Sequence, residues 1–194
     1  RKAIRVQLVV DAVEVYDSLG RAIELAPHFA HAYAARALVA IAAWFFPHTG
    51  TLRDWAALSE HAVQEAELHA AALPETHLAA ARLNSQKGQL RAAVVALRRA
   101  LDIAPTSPEA LTILGQLETE TGRLAEGLAK LALAAELEPT AGAVHYEQAR
   151  AASLRGDHAA FRRGFETLRR VTPGIPATHQ ALRHAIWWRD LELL

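Results

Sequence analysis

The 194-residue sequence contains neither cysteine nor methionine. Without a thiol there is no disulfide, no thiolate nucleophile and no Cys-ligated zinc. The redox compartment stays open, since a Cys-free chain works in any of them, with the cytoplasm favoured over the periplasm. Without methionine, an initiator included, the chain is expected to be a fragment or a processed product. Aromatic residues are scarce, at 6%. Neither sign of charge is in excess, because Lys+Arg and Asp+Glu both number 21. That balance argues against a dedicated nucleic-acid or membrane-surface binder, which usually carries a basic surplus. Long apolar runs are missing too: the longest, Ala37–Phe46, is about half of what a bilayer span needs. No signal-peptide pattern is visible.

What the sequence has in quantity is alanine, within an apolar half (52%) that favours helix throughout. It also turns one corner repeatedly. "ALDIAPTSPEAL" (Ala100–Leu111) reads as a helix end, a Pro-marked turn and a helix start. Matching stretches begin at Ala22 ("AIELAPHFAHAY"), Ala134 ("AAELEPTAGAVH") and Leu168 ("LRRVTPGIPATH"). Pro105, Pro139 and Pro173 recur every 34 residues, and Pro27 precedes Pro105 by 78, two repeats and ten residues. A corner is therefore due at Ala71, and "WFFPHTGTLR" (Trp44–Arg53) is isolated as a ten-residue insertion.

Further columns keep the 34-residue step: Gly88, Gly122 and Gly156; Val63, Leu97, Leu131 and Phe165; Ala66, Ala100, Ala134 and Leu168; Ala81, Gly115 and Ala149. This is an internal repeat, and each column has a physical task. A glycine between two helix-period segments supplies the left-handed residue that ends the first helix. The small column faces Ala93, Gly127 and Phe161 on the second helix and lets the pair approach closely, although Phe161 breaks that pattern. The large column fills the space between neighbouring pairs, and proline stops each second helix.

These residues resemble the tetratricopeptide repeat family, whose helix–turn–helix unit has large, small, aromatic, Gly, Ala and Pro positions in a 34-residue frame. The unit 108–141 fits best, through Leu111, Leu114, Gly115, Gly122, Leu131, Ala134 and Pro139. It departs at Glu118, where an aromatic is usual, and at Gly127, where alanine is usual. The resemblance implies an all-α solenoid of about ten helices, a right-handed superhelix. Its units are 30–73 with the insertion 44–53, then 74–107, 108–141 and 142–175. Residues 1–29 would hold the second helix of a preceding repeat, and 176–194 a capping helix. The stretch "ELAPHFAHAYAARA" with its longer unit is also similar to tetratricopeptide regions trailing bacterial kinases, nucleotide cyclases and winged-helix regulators.

In such a solenoid the first helices line a concave face that binds a segment of another protein. Carrying over the family's groove positions implies Arg82, Gln86, Glu109, Gln116, Glu120, Tyr146, Glu147 and Arg150 as the binding residues. His184, Gln180, Trp187 and Trp188 join them from the terminal helix, and Ser153 from the fourth unit. The ordinary alternative is a set of solvated helix faces. The family's Lys/Asn set for a C-terminal carboxylate is absent, since Ala34, Leu38, Ala79, Glu109 and Ile113 stand there. A second candidate contact is Trp44, Phe45 and Phe46, with Trp188. If exposed, these aromatics would anchor a partner; the alternative is that they cover the end of the core.

Catalysis finds no motif: there is no Gly-rich phosphate loop, nucleophile-elbow serine or His-Glu-x-x-His run. His77, His145 and His179 sit one per unit, about 10 Å apart at helix-packing distances, too far to share a zinc. They are expected to pack between paired helices. No metal and no cofactor is expected. The expected function is a non-enzymatic interaction module for a peptide or protein, without nucleic acid or membrane insertion, within a larger bacterial protein. A ligand-sensing regulatory domain and a self-assembling homo-oligomeric scaffold are the alternatives.

Overall fold

A computed structural model describes residues 12–45 and 53–190. Its described residues form ten helices: α1 (Ala12–Leu25), α2 (Ala30–Phe45), α3 (Trp55–His69), α4 (Pro74–Gln86), α5 (Leu90–Ile103), α6 (Pro108–Glu120), α7 (Leu124–Leu137), α8 (Gly142–Leu154), α9 (His158–Val171) and α10 (Ile175–Trp188). The molecule is all-α, as the alanine-rich, helix-periodic sequence required. Phe46 and most of the insertion fall outside the described residues.

The repeated turns have one physical construction. Gly88, Gly122 and Gly156 adopt φ of 71°, 89° and 69°, a left-handed conformation that costs an L side chain energy and glycine almost none. Each turn closes with the same backbone bond, from Gln89 N to Asn84 O (2.8 Å), Arg123 N to Glu118 O (2.8 Å) and Asp157 N to Ala152 O (3.0 Å). This is the Schellman arrangement, which satisfies a carbonyl that the helix end leaves orphaned. The corners repeat as well: Ala70, Ala104, Glu138 and Thr172 donate to the carbonyls of Ala66, Ala100, Ala134 and Leu168.

Two compact units divide the chain, Arg1–Pro105 and Thr106–Leu194. Within the first, α1 packs on α2, α2 on α3 and α4, α3 on α4, and α4 on α5. Within the second, α6 packs on α7 and α8, α7 on α8, α8 on α9 and α10, and α9 on α10. Each helix from α2 to α9 thus meets its hairpin partner, and α2, α6 and α8 also meet the first helix that follows their pair.

The repeat columns are the core. Ala66, Leu97, Ala100, Leu131, Ala134 and Leu168 are at most 1% exposed, and Ala81 and Ala149 are sealed. The small column does bring helix backbones together. A Cβ added at Gly115 would lie 2.9 Å from the Gly127 carbonyl oxygen, and one added at Gly127 would lie 2.6 Å from that of Gly115. In the α8–α9 pair Phe161 is fully buried with Ala149 and Ala152. There the small residue facing Ala149 is Gly164, one turn further along α9. The bulk at Phe161 is absorbed by moving the close approach rather than by losing it.

Candidate functional site

In three helix pairs the fourth residue of the first helix has a task beyond packing. Tyr33 Oη donates to Pro27 O (3.1 Å), His77 Nε2 meets Ala71 O (2.9 Å) and His145 Nε2 meets Pro139 O (2.7 Å). Each side chain reaches back six residues to a corner carbonyl and ties the turn to the helix that follows. The signal was present in the sequence as a polar-tipped ring at one repeat position.

The groove candidates separate into two groups, one per compact unit. In the first unit, Arg82 is half-buried and Gln86 exposed on α4. In the second, four candidates form one polar network across α6 and α8. Gln116 donates to Glu120 (3.2 Å), and Arg150 is ion-paired to both Glu120 and Glu147, the latter at 2.7 Å. Glu109 is half-buried at the start of α6. Burial drives the Glu147 carboxyl above the usual range, even though Arg150 pulls it down. Arg150 is only 8% exposed. A guanidinium already held by two carboxylates is spent as an anion receptor, so the network presents carboxylate edges rather than a free cation.

Tyr146 belongs to a different cluster, shared between α8 and α10. Its hydroxyl lies 2.8 Å from His179 Nδ1 and accepts from Arg183 Nη1 at 3.4 Å. Gln180 donates to the Tyr146 carbonyl (3.1 Å), which orders the base of the cluster. The rings of Tyr146 and His179 are parallel, with centroids 6.1 Å apart, and the Arg183 guanidinium stacks 4.7 Å from the Trp187 ring centre.

His184 is a correction to the sequence reading. It is 0% exposed and cannot meet a partner from there. Its ring stacks on Phe161 with centroids 3.7 Å apart, Nδ1 pairs with Ser153 Oγ (2.8 Å) and Nε2 faces His158 Nδ1 (3.1 Å). Ser153 and Gln180, also carried onto the groove by family position, are 1% exposed. The reason is geometric: α10 turns this face onto α8 and α9 as it docks. Burial, with the neighbouring His158 adding to it, holds the His184 imidazole below its usual value. Trp188 stays 42% exposed yet donates to Ser153 O at 2.8 Å, so it fastens α10 while remaining partly open to solvent.

Near the insertion, Trp44 is half-buried and Phe45 is 58% exposed at the end of α2. Arg53 forms a two-pronged pair with Asp17 of α1 (2.7 and 2.8 Å), whose hydrogen bonds hold the Asp17 carboxyl below the usual range. Trp55 is 6% exposed and meets Tyr16 edge-on at 5.5 Å. Among the described residues no three His, Asp or Glu side chains are placed to hold a metal, and no helix is long and apolar enough to cross a membrane.

Ten helices in sequential pairs, three of the pairs closed by left-handed glycines and two brought together at small residues, have the tetratricopeptide-repeat fold. Among solved structures the chain is similar to YrrB, described as a TPR protein with an unusual peptide-binding site. The match has a TM-score of 0.58 and 17% identity over 92% of this chain and 95% of that one. No protein-family model and no curated protein matches the sequence.

Proposed function

We propose that this chain is a non-enzymatic interaction module that binds a peptide or protein segment on faces presented by the first helices of its pairs. The observation that carries the reading is the α6–α8–α10 face of the second unit. Gln116 and Glu120 are hydrogen-bonded to each other there, and Tyr146, His179 and Arg183 form a second bonded group beside them, each with polar atoms left over. YrrB, which shares the fold, has a peptide-binding site by its own description, and helix-pair repeats present extended binding surfaces by construction. The units we assign are 30–73, 74–107, 108–141 and 142–175, with Arg82 and Gln86 as the contact residues of the first compact unit.

Lysate capture with the wild-type chain beside a Gln116→Ala, Tyr146→Ala double variant tests this, with bound proteins identified by mass spectrometry. A partner held by the wild type and lost by the variant is the expected result. A partner retained by both removes this face from the function, and capture of nothing by either chain overturns the module reading.

A scaffold reading has one observation of its own. Ile175 (86% exposed) and Ile186 (66%) project from α10 on one stripe with Leu182. Analytical ultracentrifugation separates the two, because a concentration-independent monomer mass removes self-assembly.

A further inference from the structure

Arg183 is a cation that the described structure leaves without a counter-ion. Its contacts are the Tyr146 hydroxyl at 3.4 Å and the Trp187 ring at 4.7 Å, and no described carboxylate lies within ion-pair distance. The acidic group it acts on, Glu147, is already engaged by Arg150 at 2.7 Å and is pushed toward its neutral form by burial. A half-buried guanidinium placed over an indole ring has lost part of its side-chain freedom before any ligand arrives. Such a fork is pre-organised for a planar, two-oxygen anion.

The neighbours complete the arrangement. The Tyr146 hydroxyl that accepts from Arg183 can donate its own proton to His179 Nδ1, which leaves Nε2 as the protonated nitrogen of an exposed ring. His179 and Arg183, four residues apart, lie on one side of α10. Beside them lie Leu182 (45% exposed), Ile186 (66%) and Trp187 (45%), an apolar strip continuous with the polar cluster. A free small anion would leave that strip uncovered. A peptide whose acidic residue is flanked by large apolar residues would cover both.

We propose that Arg183, Tyr146 and His179 form a carboxylate-binding site for an acidic residue of a peptide, whose apolar flanks lie on Leu182, Ile186 and Trp187. This deepens the interaction reading above and rests on it. It places anion binding on a residue outside the inferred groove set rather than on Arg150, whose guanidinium is taken by Glu120 and Glu147. It also shares no position with the Lys/Asn set that this sequence lacks.

The probe is a set of N-acetylated, C-amidated peptide pools of the form Leu-Xaa-Glu-Xaa-Leu, with matching pools carrying Gln or phosphoserine at the centre. Binding to the full chain is read by fluorescence anisotropy at low and high salt. The expected result is preference for the Glu pool, weakened by salt. That binding should fall about tenfold in Arg183→Gln, as loss of a charge-assisted pair implies, and severalfold in Tyr146→Phe, with the thermal melts of both variants unchanged. Equal binding of the Glu and Gln pools, or Glu binding unaltered by Arg183→Gln, overturns the site while peptide binding itself stands. Preference for the phosphoserine pool alone overturns the carboxylate assignment. Binding of no pool overturns the site as well, and lysate capture then decides separately whether the interaction reading falls with it.

Discussion

At the scale of single residues, this molecule stabilises its turns with side chains that reach backward. Tyr33, His77 and His145 each satisfy a corner carbonyl that would otherwise face the helix start unpaired. Tyr33 isolates the effect, since removing its hydroxyl leaves the ring to pack. Tyr33→Phe should lower stability by about 0.5–1.5 kcal/mol, the net worth of one partly buried hydrogen bond, measured by urea unfolding. An unchanged midpoint would mean that water replaces the hydroxyl at the Pro27 carbonyl. Glu118 shows the same economy at a place where the repeat pattern calls for an aromatic. It is 5% exposed, and Lys130 of α7 meets it at 2.6 Å with Arg123 at 3.5 Å. An ion pair joins α6 to α7 where ring packing would otherwise do so.

At the scale of elements, helix pairs are fastened at their crossing points. Gly127→Ala should separate α6 from α7, because the added Cβ meets the Gly115 carbonyl and the Thr119 backbone nitrogen at 2.6 and 2.8 Å. Overpacking of this kind costs about 1–3 kcal/mol, which exceeds the roughly 1 kcal/mol that alanine gains over glycine in a helix. A lower urea midpoint for the second unit is the expected outcome, and a rise would show that the backbones can give way. The docking of α10 should also depend on pH. The His184 imidazole is held below its usual value of 6.5 by burial first and by His158 second, with Arg162 adding and Asp190 opposing. The unfolded chain takes a proton near 6.5 while the folded one resists. This contribution is therefore complete above that pH and is lost as the pH falls below it. Urea unfolding at about pH 7.5 and about pH 5.5 should show the loss, and His184→Gln should remove that part of the slope.

The same elements show what the sequence carried and what it did not. The turn glycines, the corner prolines and the small crossing residues each impose a backbone demand that few residue types meet, so their recurrence was legible and the fold with it. The binding surface was less so. Whether Arg150 is free depends on Glu120 and Glu147 converging on it, and whether His184 is exposed depends on how α10 docks. Repeat position fixes neither, because both turn on which face of a helix meets its neighbour. Arg183 was missed for the related reason that an arginine advertises nothing in sequence about having no counter-ion.

At the scale of the whole molecule, the chain divides into two compact units, each with its own helix pairs and buried columns. Stability in helix-pair repeats sums over neighbouring contacts. Chains of 1–105 and 106–194 made separately should therefore both show helical circular dichroism and a cooperative melt. An unfolded fragment from either half would show that its own helix pairs are insufficient. The spacing of contacts along the chain carries a further consequence. Arg53 binds Asp17 36 residues away, and Arg183 meets Tyr146 at a separation of 37. Partners so near in sequence emerge from a ribosome within seconds of each other at about 5–20 residues per second. Within each unit a helix pair can close against its neighbour while synthesis continues, so apolar helix faces spend little time bare before their own partners arrive.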